Sequence, residues 1–441
     1  MGTATLTDMA GDTTRGSESG EAVGEALLGK VVREFATSRD FNGISANFLA
    51  ADLNLSVRKL RKSLATLIAQ GLVEIVHEQW FPNPHIRPFP APATDVQLTA
   101  VNSSALNQYC VYPTALAMRG RRLPRRLAGR PYAARLWRGG AELVPIFFDM
   151  AVLERYRTDP RYAFNFDDTG GMISVRDEFY MSKEYPERDK ILLQTFGVGF
   201  DEDDGRVVAV FLRYLADLSP EHQRLWEAFE RTDRCFVHPD YMTAALGDFP
   251  NHGSIYRALL IEQVTINRMC DAIGRPDLFR VTFAEGRPDG YHVFFQPTER
   301  HFHAFVLELD KLLSQNIKVE FFENEVALTE TIRRRTGEVR VVDRGSVALL
   351  EDWLRTWFRT SDQTAIPKVI EGLREVRRLR QRPAHAIGGD RYDKGYWVQQ
   401  DALMERAYLA LRTMRLILAN FPGAEAVDVP DWVQEGRIRA R

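Results

Sequence analysis

The chain has 441 residues, a formal charge of -2, 45% apolar residues and 27% charged residues. That length exceeds what one hydrophobic core organises and implies two to four domains, with an apolar content ordinary for a soluble globular protein. The near-zero charge excludes a global attraction for nucleic acid and leaves room only for local basic patches.

Cys110, Cys235 and Cys270 are the three cysteines, odd in number and widely spaced. They form neither a disulfide framework nor a metal-binding knuckle, so a reducing cytoplasm is expected and no metal or cofactor is called for. The chain has no uninterrupted apolar run long enough to span a bilayer and no basic-then-apolar leader pattern at its start. No membrane association is expected.

Residues 1–20 are rich in Gly, Thr, Ser, Asp and Glu and are expected to form a flexible tail. From 21 to 90 the pattern is more specific. A first helix ends near Ser38, a second covers Ala46 to Leu53, and Ser56 is placed to cap a third from Val57 to Ala69. Leu60, Leu64, Leu67 and Ile68 share one face of that helix, while Arg58, Lys59, Arg61 and Lys62 point elsewhere. Gly71 ends the helix, Leu72–Val76 has strand character, and the polar, Pro-rich stretch from His77 to Pro90 is a candidate wing. This order resembles a bacterial winged helix-turn-helix domain. The resemblance implies that the third helix enters the DNA major groove, with Arg58, Lys59, Arg61 and Lys62 meeting phosphates and bases. Such domains also serve as protein-protein modules, and that alternative stays open.

A connector rich in arginine follows. Between residues 119 and 138 it carries Arg121, Arg122, Arg125 and Arg126 among others, interleaved with Tyr132 and Trp137 and without an acidic residue. That mixture suits backbone contact plus base stacking, and equally suits an interdomain connector paired with acids such as Asp201–Asp204.

Residues 91–297 are expected to combine this connector with a mixed α/β central domain. Strands are expected at 142–148 and 207–211, helices at 220–231 and 253–271, and a hairpin from Val281–Phe283 and Tyr291–Phe295. Gly197-Val198-Gly199 lacks the third glycine of a dinucleotide fingerprint and is expected to be a turn. Asp167-Asp168 before Gly170-Gly171 could hold a cation, although such loops are more often turns.

From Thr298 the apolar spacing becomes helical. Helices are expected at 298–315, 346–358, 365–379 and 396–420, with strand-like 319–322 and 339–342 between the first two. Four such helices make a bundle at 298–425, followed by a tail at 426–441. The predicted fold class is therefore α+β, multidomain and mainly helical: an N-terminal winged helix, a mixed α/β centre and a C-terminal four-helix bundle.

Where the third and fourth of these helices meet stands Arg380-Gln381-Arg382-Pro383-Ala384-His385. A bundle with an Arg-x4-6-His motif at that junction resembles the HEPN superfamily of prokaryotic toxins, defence proteins and RNA-processing enzymes. Arg380 and His385 match the motif with four intervening residues, and Arg378 matches it with six. The resemblance implies a metal-independent endoribonuclease acting as a homodimer, in which Arg380 binds the scissile phosphate and His385 moves the proton of the ribose 2′-hydroxyl. Gln381 stands where active members often carry Asn, Asp or His. Two functions follow as expectations: a nucleic-acid-binding HEPN-like ribonuclease of a toxin or defence system acting on RNA, or a non-catalytic winged-helix DNA-binding regulator whose bundle mediates dimerisation. His301 and His303, two apart on a helix, diverge and are not expected to share a metal.

Overall fold

The computed structural model describes residues 12–248, 251–288, 290–333, 339–359, 362–381 and 389–439, with side chains from residue 21 onward. The protein is mixed α+β and about 49% helical. It divides into two compact units: the chain up to Phe164 with Met172–Asp201 and Arg206–Val237, and Asn165–Gly171 and Glu202–Gly205 with His238–Arg441. These units cut across the boundaries drawn at 90 and 297. No helix among the described residues is long and apolar enough to cross a membrane.

The first unit opens with α1 (Asp12–Thr37). Residues 12–20 are thus helical where a tail was expected. Once the turns around Leu27–Phe35 are nucleated, a polar extension adds a hydrogen bond per residue and needs no apolar stripe. Leu27, Val31, Val32 and Phe35 form the buried stripe of α1. Next come β1 (Ile44–Ser45), α2 (Ala46–Asp52), α3 (Val57–Ala69) and β2 (Val73–His77). The Ser56 side chain accepts from Lys59 N at the start of α3. At its end Gly71 takes φ +68°, a left-handed turn that glycine enters without a Cβ penalty. Leu60, Leu64, Leu67 and Ile68 of α3 pack with Leu27, Val31, Leu49 and Ile75.

The partner strand of β2 arrives later than a short wing would bring it. α4 (Thr94–Ser103) intervenes before β3 (Tyr109–Pro113), and the sheet order is β1-β3-β2, with Ile75 opposite Val111. The Gln97 side chain of α4 accepts from Ile75 N at 3.0 Å, occupying an edge donor of β2. The expected wing segment also folds inward through Arg87, which is 2% exposed. Its guanidinium pairs with Glu74 at 2.6 Å, donates to Pro113 O and Gly140 O, and stacks over Phe35 and Tyr112.

After α5 (Pro131–Trp137) the unit builds a sheet from β4 (Pro145–Asp149), β5 (Tyr162–Phe166), β6 (Gly170–Val175), β7 (Leu192–Asp201) and β8 (Arg206–Phe211). Its order is β4-β8-β7-β6-β5. α6 (Pro220–Glu227) brings Trp226 edge-on to Phe148, and β9 (Cys235–Val237) pairs with β7. Gly197-Val198-Gly199 lies inside β7 and is not a turn. A Cβ on Gly199 would stand 2.5 Å from Phe236 O, so the glycine permits the close approach of β9.

The second unit contains α7 (Pro239–Ala245), β10 (Gly253–Ser254), α8 (Ile255–Ala272), α9 (Glu299–Leu312), the ribbon β11 (Thr329–Arg333) and β12 (Val339–Asp343), α10 (Ser346–Trp357), α11 (Ala365–Gln381), α12 (Gly395–Leu418) and β13 (Ile438–Arg439). The last four long helices match the expected ones closely. α12 packs along both α11 and α8, while α9 and α10 pack on α11. α8, assigned from the sequence to the centre, therefore shares this helical core. Glu262 of α8 and Arg415 of α12 form an ion pair at 2.5 Å, with side chains 0% and 4% exposed.

Residues 281–283 and 291–295 form no hairpin. Asparagine side chains meet backbone groups that a ladder would otherwise pair: Asn316 bonds both N and O of Val281, and Asn267 bonds both N and O of Phe279. Trp397 and Gln400 of α12 donate to Phe294 O and His292 O. The apolar pattern that suggested strands comes from Tyr291, Val293, Phe294 and Phe295 entering the core from a loop. Val319–Phe322, expected as a strand, is a 3-10 turn.

Candidate nucleic-acid interface

α3 presents its cations from the end that Ser56 caps. Arg58, Lys59 and Lys62 are exposed, and none has a hydrogen-bond or ion-pair partner from its charged group among the described residues. Its first turn contains no acidic residue. Cations near a helix N-terminus oppose the macrodipole, each at a cost of roughly 0.3–1 kcal/mol when exposed. An anion bound there would reverse that penalty, because the first-turn N–H groups and the side chains then point the same sign of charge at it.

Arg61 separates from this group. It is half-buried, its Nη2 donates to Ser104 O at 2.7 Å, and its Nε is buried without a partner. Burial pushes the nearby Tyr109 phenol up to about 12, with the Arg61 charge opposing. The side chain ties α3 to the end of α4, which the helical spacing alone did not reveal.

The arginine-rich connector also divides. Arg122 and Arg125 are exposed, and neither guanidinium has a partner among the described residues. Arg121 Nε donates to Ala117 O. Arg126 donates to Ala36 O and Ser38 O, capping the last carbonyls of α1, and lies over Phe41. Arg135 forms two bonds to Glu230, and Tyr132 and Trp137 are buried. Those two rings are core residues and offer no stacking face, which corrects the expectation of a base-stacking platform. Arg135 pairs with Glu230 instead of the expected acids at 201–204.

In the second unit Arg380 stands at the end of α11, as the spacing anticipated. Its Nη1 donates to Asp310 Oδ2 at 2.7 Å, and Asp310 is fully buried on α9. Ser314 Oγ and Gln315 Nε2 donate to the same carboxylate. His385 lies outside the described residues. Arg378 is exposed and lies 3.8 Å from Glu375.

The Asp167-Asp168 loop divides its carboxylates between a turn and an ion pair. Asp167 accepts from the backbone N of Thr169 and Gly170. Asp168, at φ +80°, accepts from Arg287 at 2.6 Å and Ser254 at 2.7 Å. Among the histidines, Thr298 Oγ1 lies 2.8 Å from His301 Nδ1, and His303 is 3.7 Å from Glu299. His252 was given no role from the sequence, yet its Nε2 is 2.7 Å from Asp240. No local spacing signals that pair, since its members lie twelve positions apart, one in the first turn of α7 and the other beyond its end.

Comparison of the chain with protein-family models, with curated proteins and with solved structures returned no match.

Proposed function

We propose that the protein binds nucleic acid through α3, in a winged-helix-type module formed by residues 21–113. The observation that carries this reading is the exposed, unpaired set Arg58, Lys59 and Lys62 at the N-terminal end of a helix without an acidic residue. The order α1-β1-α2-α3-β2-α4-β3 and the sheet order β1-β3-β2 support it. In this reading the three cations hold duplex DNA by its phosphates, and the second unit supplies dimerisation rather than chemistry. The test is DNA binding by fluorescence anisotropy across a salt series, with Arg58, Lys59 and Lys62 replaced together by Gln. Each lost phosphate contact should flatten the slope of log K against log salt by about 0.9, so the variant should lose about 2–3 from the slope. An unchanged slope removes α3 from the interface.

A second reading is a HEPN-type endoribonuclease, favoured by the position of Arg380 in the last turn of α11, the helix that precedes α12. There Arg380 would bind the scissile phosphate and His385 would move the 2′-hydroxyl proton. The Asp310 contact weighs against it, because a guanidinium neutralising a buried carboxylate has less charge to offer a phosphate. Incubation of the protein with labelled RNA in EDTA decides it: cleavage to cyclic-phosphate ends, lost in His385→Ala, supports the enzyme, and intact RNA refutes it.

A further inference from the structure

Helix α12 is apolar on two sides. One side is core: Leu403, Met404, Ala407, Leu411 and Met414 are buried. The other faces outward among the described residues, yet Val398, Leu409 and Leu416 stand on it with 58%, 48% and 47% of their surfaces open. A helix at a protein surface ordinarily turns charged and polar residues outward, and one that is apolar all round is ordinarily covered all round.

The outward residues follow a strict order. Val398, Ala402, Glu405, Leu409, Arg412 and Leu416 are spaced by alternating steps of four and three, the spacing of a coiled-coil seam. At 1.5 Å per residue the seam runs for about 27 Å. A cleft of ≈ 740 Å³ borders Val398, Ala402 and Glu405 and leaves that half of the seam open.

The seam is its own complement when a second copy runs antiparallel to it. A two-fold axis at the level of Ala407 sets Val398 against the partner's Leu416, Ala402 against the partner's Arg412 and Glu405 against the partner's Leu409. The same three pairs recur in reverse, as an isologous contact requires. Charge selects this direction. Glu405 is exposed, and its carboxylate has no partner among the described residues. Arg412 donates to the neutral Tyr408 hydroxyl at 3.1 Å and meets no carboxylate at ion-pair distance among the described residues. In the antiparallel pair Glu405 and the partner's Arg412 share one flank, offset by about 4.5 Å along the axis, and the pair forms twice. A parallel copy would bring Glu405 to the partner's Glu405 and Arg412 to the partner's Arg412, and like charges brought together oppose association.

We propose that the outward face of α12 is a dimer interface, covered by the same face of a second copy of this chain in antiparallel register. The inference rests on the dimerising role proposed for the second unit and not on contact with DNA. One helix from each chain makes a small interface, so the dimer should dissociate in the micromolar range.

Sedimentation equilibrium of the full-length protein, without DNA, tests it on the parent, Leu409→Gln, Glu405→Arg, Arg412→Glu and the double variant Glu405→Arg/Arg412→Glu. Thermal melts matching the parent establish folding. If Arg412→Glu does not fold, the substitutions at the exposed Leu409 and Glu405 decide alone. The parent should show a monomer–dimer equilibrium, and each single variant should weaken it tenfold or more. The double variant should recover most of the loss, because it exchanges the charges and keeps them complementary. A parent that stays monomeric overturns the proposal, as does a double variant no better than the folded single ones. A dimer indifferent to Leu409→Gln also overturns it, while leaving the second unit's dimerising role in place.

Discussion

Arg380 donates to the carboxylate of Asp310 across 2.7 Å, and Asp310 has no exposed side-chain surface. The arginine singled out by its spacing from a histidine is therefore also the counterion of a buried acid. Arg380→Ala should destabilise the protein by about 2 kcal/mol, below the 3–5 kcal/mol of a fully enclosed pair because Arg380 is 39% exposed. Adding Asp310→Asn should restore much of that loss. Urea unfolding of the single and double variants measures both, and a loss under about 0.5 kcal/mol for Arg380→Ala would show that the contact is not structural. Activity assays of Arg380→Ala need the double variant as a folding control.

On α3 the four basic residues should behave as two classes. Replacing Arg58, Lys59 and Lys62 should weaken DNA binding while leaving the melting temperature within a degree or two, or raising it, since cations leave a helix N-terminus. Arg61→Ala should do the reverse. It removes the bond to Ser104 O, lowering stability by about 1 kcal/mol, with little effect on the salt slope. Anisotropy titrations and thermal melts on the same samples separate the classes, and equal behaviour of Arg61 and Lys62 would contradict the division.

His222 should make the first unit sensitive to mild acid. It is buried with its Nδ1 2.8 Å from the Tyr156 hydroxyl. Burial first, then the charge of Arg155, lowers its pKa to about 4. A histidine with a depressed folded pKa binds protons more readily when unfolded. Stability is therefore complete above about pH 6.5, is lost as pH falls toward 4, and is down by about 2 kcal/mol at pH 5. His222→Gln should remove that part of the slope between pH 7 and pH 5 in urea unfolding, and an undiminished slope would assign it to other groups.

Glu262 and Arg415 lie within the helical core of the second unit, and burial raises the Glu262 pKa against the opposing effect of Arg415. Glu262→Ala should cost about 3–5 kcal/mol by leaving a buried guanidinium uncompensated. The double change Glu262→Leu with Arg415→Met should recover most of it, because replacing both charges with apolar groups removes their desolvation cost. Chemical denaturation of the three variants tests this, and equal destabilisation of single and double variants would sink it.

Helices were legible from the sequence wherever apolar spacing, a cap and a stop agreed. Val57–Ala69 begins after a Ser56 cap and ends before Gly71, so its limits are local. The helices at 299–312, 346–357, 365–381 and 395–418 carry an apolar stripe long enough to define them without knowledge of their neighbours. Strand expectations fared worse at 281–295 and 319–322. Short apolar runs enter a core equally well from a loop, and the asparagines that satisfy the backbone there lie far away in sequence.

The sequence by itself determined which segments coil into helices, that α3 has an apolar face and a basic one, and that Arg380 ends a helix. Those properties depend on residues within a few turns of each other. Only the tertiary structure decided what each charge meets: Arg61 bonds α4, Arg126 caps α1, Arg135 meets Glu230 and Arg380 meets Asp310. It also brought His252 and Arg439 to the buried carboxylate of Asp240. The reason is physical. Helix formation follows from local hydrogen bonding and spacing, whereas the environment of a charge is set by whatever the folded chain places within a few ångströms of it.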